Sequence, residues 1–224
     1  MNKLQQELAE LYFSSNTVKF GAFKLSIHEK DPTLPLSPIY LHYPKDNEEG
    51  SEQLPRIYDL IGEIFADMVK STNISFDRIV GIPNGARPLA DNLAKRLPNY
   101  PANLVEFEKK VDEEGERSFS GPSKGEHKPG ENLLLVEDHT SGGYNKSLFI
   151  AAADDAGLKV TDILTVVDRQ QGAPAYLSSI GVELHSIYKV EELVNFYVEK
   201  GLVTPEKAAE VHTYLENNQI IVGS

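Results

Sequence analysis

Two adjacent carboxylates, Glu137 and Asp138, close an apolar run from Leu133 to Val136, and a hydroxyl- and glycine-rich stretch follows at Thr140, Ser141, Gly142 and Gly143. Small residues let backbone N–H groups converge on a phosphate at the start of a helix. The carboxylates supply the opposite chemistry, accepting hydrogen bonds from sugar hydroxyls or holding a hydrated Mg²⁺. A phosphate cradle beside paired acids suits a phosphorylated sugar. The nucleotide-triphosphate loop GxxxxGK[ST] is absent.

The elements that must position these groups are legible as periodicities. Leu4, Leu8, Leu11 and Tyr12 recur at helical spacing, and residues 18–25 alternate like a strand around Gly21. Residues 28–38 and 44–54 read as exposed loops flanking a short extended segment at 38–41. Leu54, Ile57, Ile61, Ile64, Phe65 and Met68 mark a helix; residues 78–82 form a strand, 83–86 a turn, and Pro88 opens a helix bearing Leu89, Leu93 and Leu97. Residues 104–107 read as a strand, and 108–131 as a polar, structureless loop. Beyond it come a strand ending at Asp138, a helix over 145–156, a strand over 162–167, a helix near 175–179 and a strand over 182–187. Helices over 190–200 and after Thr204-Pro205-Glu206 complete the pattern. Alternation of this kind predicts an α/β fold with a mostly parallel central sheet flanked by helices. Ligands in such sheets bind beyond the C-terminal strand ends. The 137–143, 83–87 and 168–169 segments should therefore line one site.

Composition narrows the class. A chain of 224 residues fits a single domain, and a net charge of −12 argues against a nucleic-acid surface. With no cysteine there are no disulfides, thiolate metal sites or cysteine nucleophiles, as in a reducing cytosol. No run approaches the length of a membrane span, and the N-terminus lacks the apolar core of a signal peptide. A soluble, cytoplasmic protein without membrane partners is expected. The histidines show no metal-ligand spacing, which speaks against zinc, and His139 reads as a packed or solvent-facing residue in preference to an acid/base or phosphate contact.

Taken in order, several segments resemble the orotate phosphoribosyltransferases, a family of type I phosphoribosyltransferases, over nearly the whole chain. Val18-Lys19-Phe20-Gly21-Ala22-Phe23-Lys24-Leu25 and Ser37-Pro38-Ile39-Tyr40 are similar to the family's N-terminal hood, here about residues 1–45. Gly81-Ile82-Pro83-Asn84-Gly85-Ala86-Arg87-Pro88 resembles the pyrophosphate loop, and 137–143 the signature for phosphoribosyl pyrophosphate (PRPP). Asp168-Arg169-Gln170-Gln171-Gly172 resembles a segment that usually reads Asp-Arg-Glu-Gln-Gly. The resemblance implies a type I phosphoribosyltransferase fold with a small hood, acting on PRPP and orotate or a related carboxylated base. It also implies Mg²⁺ carried by PRPP rather than by a dedicated protein site, and a homodimer. It assigns Glu137 and Asp138 to the ribose hydroxyls, Thr140, Ser141, Gly142 and Gly143 to the 5′-phosphate, and Asn84 and Gly85 to the pyrophosphate. Arg169 would face the carboxylate of the base, with Thr140, Ile39 and Tyr40 nearby. Lys109 would be the loop cation, on a mobile loop over about 108–131.

The sequence departs from the family where the pyrophosphate leaves. The loop usually reads Arg-Lys-x-x-Lys-x-His/Tyr-Gly; here Glu108, Asp112 and Glu114 replace the arginine, second lysine and aromatic around Lys109 and Gly115. The PRPP signature is also one residue short. Two readings follow: a transferase of the orotate type, and a phosphoribosyltransferase-fold protein that binds a ligand or regulates without turnover.

Overall fold

Leu133 to Val136 form a strand because neighbouring positions bury against opposite layers, so nearly every residue is apolar. The computed structural model describes residues 1–220 apart from 26, 27, 29, 30, 84, 114 and 116. Within them a parallel sheet runs in the order β3 (Arg78–Gly81), β6 (Leu133–Thr140), β7 (Asp162–Asp168), β8 (Glu183–Lys189). Leu134, Val136, Leu164 and Ile187 pack on one face with α1 (Lys3–Ser14), α2 (Leu54–Thr72), α3 (Arg87–Ala94), α6 (Val190–Glu199) and α7 (Pro205–Asn217). Leu133, Leu135 and Ile163 pack on the other with α4 (Tyr144–Asp155) and α5 (Ala173–Ser179). The α/β fold with a parallel sheet is as expected.

The hood pair, β1 (Val18–Phe23) and β2 (Ser37–Leu41), is antiparallel, with Val18 opposite Leu41. Val18, Ile39 and Leu41 join the same core as Leu8 and Tyr12 of α1. The Tyr197 hydroxyl donates to the Ala9 carbonyl at 2.8 Å and fastens α1 to α6. Asn2 and Gln5 start α1 with a capping box, the Asn2 carboxamide oxygen accepting from the Gln5 N–H at 2.9 Å. Among the described residues no helix is long and apolar enough to cross a membrane.

Two expectations are corrected. The 108–131 stretch is not structureless: β4 (Glu106–Val111) and β5 (Arg117–Lys124) form an antiparallel hairpin pairing Lys109 with Phe119 and Lys110 with Ser118. Its anchors are two aromatics, Phe107 and Phe119, whose ring centroids lie 4.7 and 5.2 Å from that of Phe149 on α4. Leu104, read as the start of a strand, instead makes a single parallel bridge to Ile79 before the chain peels away into the hairpin. Because Phe119 is only partly buried, Phe119→Ala should cost about 1–2 kcal/mol in urea unfolding and raise hydrogen exchange across β5. Unchanged exchange there would show that Phe107 alone holds the hairpin.

Candidate active site

Parallel register brings the strand ends together. Thr140 pairs with Asp168, and Asp168 with Lys189, so the segments that follow emerge at one edge. The Arg169 N–H donates to the Thr140 carbonyl at 2.8 Å, and the Ala173 N–H to the Ser141 carbonyl at 3.0 Å. From β3, the 83–87 turn reaches the same place: a Cβ added to Gly85 would stand 3.0 Å from an Asp138 carboxylate oxygen. Asn84 lies outside the described residues.

Strand β6 runs two residues further than the sequence suggested, because His139 and Thr140 still pair with β7. Thr140 is thus buried in the sheet, its hydroxyl donating to Thr165 Oγ1 at 3.1 Å, and not in the phosphate turn. The turn is Ser141, Gly142 and Gly143. Gly143 has φ +88°, which favours glycine, and α4 begins there with no side-chain cap. An uncapped helix start with open N–H groups attracts an anion.

The two acids occupy different environments. Glu137 is buried; its carboxylate accepts from Lys146 Nζ at 2.8 Å and from the Asp138 N–H at 3.0 Å. Burial raises its pKa most, neighbouring Asp138 raises it further, and Lys146 opposes both. Burial alone would raise Asp138 too, but His139, with Nδ1 at 3.3 Å, and the His139 N–H at 2.6 Å draw it below the usual carboxylate range. One carboxyl therefore tends to keep its proton while the other stays ionised. His139 is stacked on Tyr43 with centroids 6.1 Å apart, and its Nε2 has no partner among the described residues.

Arg169 is 5% exposed. Its Nε donates to Gln171 Oε1 at 3.0 Å and its guanidinium to the Ser37 hydroxyl at 3.3 Å. No carboxylate meets it among the described residues, and burial lowers its pKa. Of the hood residues expected beside it, Ile39 is a core residue and Tyr40 lies on the other face of β2, stacked on Phe23. Strand alternation explains this: Ser37 and Ile39 share the inward side and Tyr40 the outward one. Ser37 is the hood residue that reaches Arg169.

Lys109 is half-buried on the hairpin. Desolvation and Arg117 lower its pKa, whereas Glu137 raises it, so its ammonium senses Glu137. On the same hairpin, Lys124 is engaged by Glu106 at 3.3 Å; Glu114 lies outside the described residues. The sequence reading missed Lys146, Ser37 and Gln171. Lys146 did carry a signal, since a lysine in a first helical turn opposes the helix dipole unless an acid compensates it. Histidine spacing also hid a trio at the far end of the sheet. Asp162, Glu183 and His185 have ligand-capable atoms within 4.8 Å of one another. His185 Nε2 lies 2.8 Å from Asp162, which an ordinary hydrogen bond explains.

The fold and this site define a phosphoribosyl-transferring class: the family model described as the phosphoribosyl transferase domain matches residues 51–176. The chain is 31% identical over 164 residues to the orotate phosphoribosyltransferase of Sulfurisphaera tokodaii, covering 70% of this chain and 79% of that protein. It is 30% identical to the Caenorhabditis elegans orotate phosphoribosyltransferase, covering 72% and 68% respectively. The solved structure of Leishmania donovani UMP synthase superposes with a TM-score of 0.74 at 25% identity, covering 95% of this chain and 42% of that longer one. The chain belongs to the orotate phosphoribosyltransferase family.

Proposed function

We propose that the protein transfers the phosphoribosyl group of PRPP to orotate or a closely related carboxylated base, in pyrimidine nucleotide biosynthesis. The bond from the anomeric carbon to the pyrophosphate oxygen breaks, a bond to the ring nitrogen forms, and that nitrogen gives up its proton. The observation that carries this reading is Arg169, a buried guanidinium without an anionic partner among the described residues, at the same sheet edge as the open start of α4. A base carboxylate supplies the missing charge in the planar geometry that guanidinium prefers. Ser141, Gly142 and Gly143 then receive the 5′-phosphate, and Asp138 accepts from a ribose hydroxyl.

Asp138 is ionised, and its carboxylate faces the Gly85 turn, so the donor set suits a Mg²⁺ carried in on PRPP. That ion, when bound, would neutralise charge growing on the departing pyrophosphate. Lys109 of the hairpin, whose charge interacts with Glu137, would share that task. The same reading makes the protein a cytosolic homodimer, checked by light scattering.

A second reading, binding without turnover, is favoured by Glu108 beside Lys109 where the family carries arginine. Orotate consumption with PRPP and Mg²⁺ decides between them. Turnover that Asp138→Asn removes establishes the transferase. Binding of both ligands without consumption establishes the second reading, and no binding of either sinks both.

A further inference from the structure

Helix α7 ends at Asn217, and the next three residues cross the site. The Asn218 side-chain amide donates to the Tyr214 carbonyl at 2.7 Å, and that of Gln219 to the Leu215 carbonyl at 2.7 Å, which ends the helix on side-chain caps. The chain is then stitched to the segment that carries Arg169. Gln171 Nε2 donates to the Asn218 carbonyl at 2.9 Å, the Ile220 N–H to the Gln171 carbonyl at 3.0 Å, and Gln219 Nε2 to the Gln170 carbonyl at 3.0 Å.

These bonds place an apolar side chain on the candidate phosphate turn. A Cβ added to Gly142 would collide with Ile220 Cγ2, and one added to Gly172 would lie 2.9 Å from the Ile220 carbonyl oxygen. Gly142 and Gly143 are buried although they open an uncapped helix, and among the described residues no acceptor meets their N–H groups. Ile220 offers them no lone pair and takes up space against the turn where an anion would sit.

We propose that residues 218–220 are an autoinhibitory strap, with Ile220 occupying the phosphate end of the site so that a phosphorylated ribose must displace it. This rests on the reading of the 141–143 turn as a phosphate cradle. The strap's bonds to Gln170 and Gln171 are few, and all of them lie beyond the end of α7, so it lifts without unfolding that helix. Because Gln171 also holds Arg169, lifting the strap frees one partner of the base-binding guanidinium.

A ligand that binds only the open form has its apparent affinity reduced by the open fraction; a strap closed about nine-tenths of the time weakens binding about tenfold. The test is calorimetric titration of the full chain and of Ile220→Gly with inorganic phosphate, PRPP and orotate separately. Hydrogen exchange at 141–143 and 218–220 is followed with and without phosphate. The glycine variant should bind phosphate and PRPP about tenfold more tightly, and orotate with little change. In the parent chain, phosphate should protect 142–143 while exposing 218–220. Equal or weaker phosphate binding by the variant would overturn the strap. Turnover of PRPP and orotate by the parent without any gain from Ile220→Gly would remove the strap and leave the transferase reading intact. Failure of both proteins to bind phosphate or PRPP would remove both.

Discussion

An Arg169→Met variant should lose orotate affinity by about two orders of magnitude and yet unfold at a higher temperature than the parent protein. Both effects have one cause. The guanidinium is 5% exposed and is held by the neutral Gln171 and Ser37, so the chain without base has taken a charge out of water with no opposite charge in reach among the described residues. Methionine of similar reach removes that desolvation cost, which should stabilise the protein by about 1 kcal/mol after the lost hydrogen bonds are subtracted. With a carboxylated base present the balance reverses. Removing one member of a buried, hydrogen-bonded charge pair costs about 2–5 kcal/mol, and about 3 kcal/mol corresponds to roughly 150-fold in affinity. Arg169→Lys keeps the charge but loses the fork, so it should fall between the two. Calorimetry with orotate, paired with thermal unfolding in its absence, reads both arms. Unaltered orotate binding would exclude a base-recognition role, and a lower melting temperature would show that Gln171 and Ser37 compensate the charge.

What the sequence discloses and what it hides divide along a physical line. Leu133 to Val136 and residues 162–167 announced buried parallel strands because both of their faces are covered, and such strands are apolar throughout. The hairpin at 106–124 did not, because among its described residues only Phe107 is fully buried, Phe119 is partly so, and most of the others are exposed. The acids and the glycine turn were legible from residue type and order. Their environments were not: Lys146 lies nine positions beyond Glu137 in sequence and reaches it only once α4 folds back over β6. Likewise, nothing in Asn218, Gln219 and Ile220 marks them as neighbours of Gly142; that contact spans 78 positions of chain and depends on where α7 ends.

The Lys146–Glu137 pair leads to the second large effect, one that depends on pH. Burial and Asp138 together outweigh Lys146, so Glu137 is raised from its ordinary 4.5 to about 8 in the folded chain. Between those values the native protein holds a proton that the unfolded chain has released. Glu137's contribution to stability is therefore complete below about 4.5 and is lost as pH rises through about 8. Lys146→Met removes the paired cation that opposes that rise. Breaking a buried pair costs about 3–5 kcal/mol when the survivor stays charged, but a carboxyl escapes part of this by keeping its proton. The loss should hence be modest near pH ~5 and approach about 3 kcal/mol near pH ~9, because each pKa unit is worth about 1.4 kcal/mol. Glu137→Gln should flatten the profile, and the double variant should be nearly as flat as Glu137→Gln alone. Urea unfolding across that range measures all four proteins. If parent and Lys146→Met curves run parallel, Glu137 is not the titrating group. The same protonation difference bears on the proposed chemistry. A protonated Glu137 donates as well as accepts, whereas ionised Asp138 only accepts, so the pair offers both polarities to the neighbouring hydroxyls of a ribose. Raising the pH through Glu137's folded value should weaken PRPP binding in the parent, and Glu137→Gln, which always carries a donor, should lose that dependence.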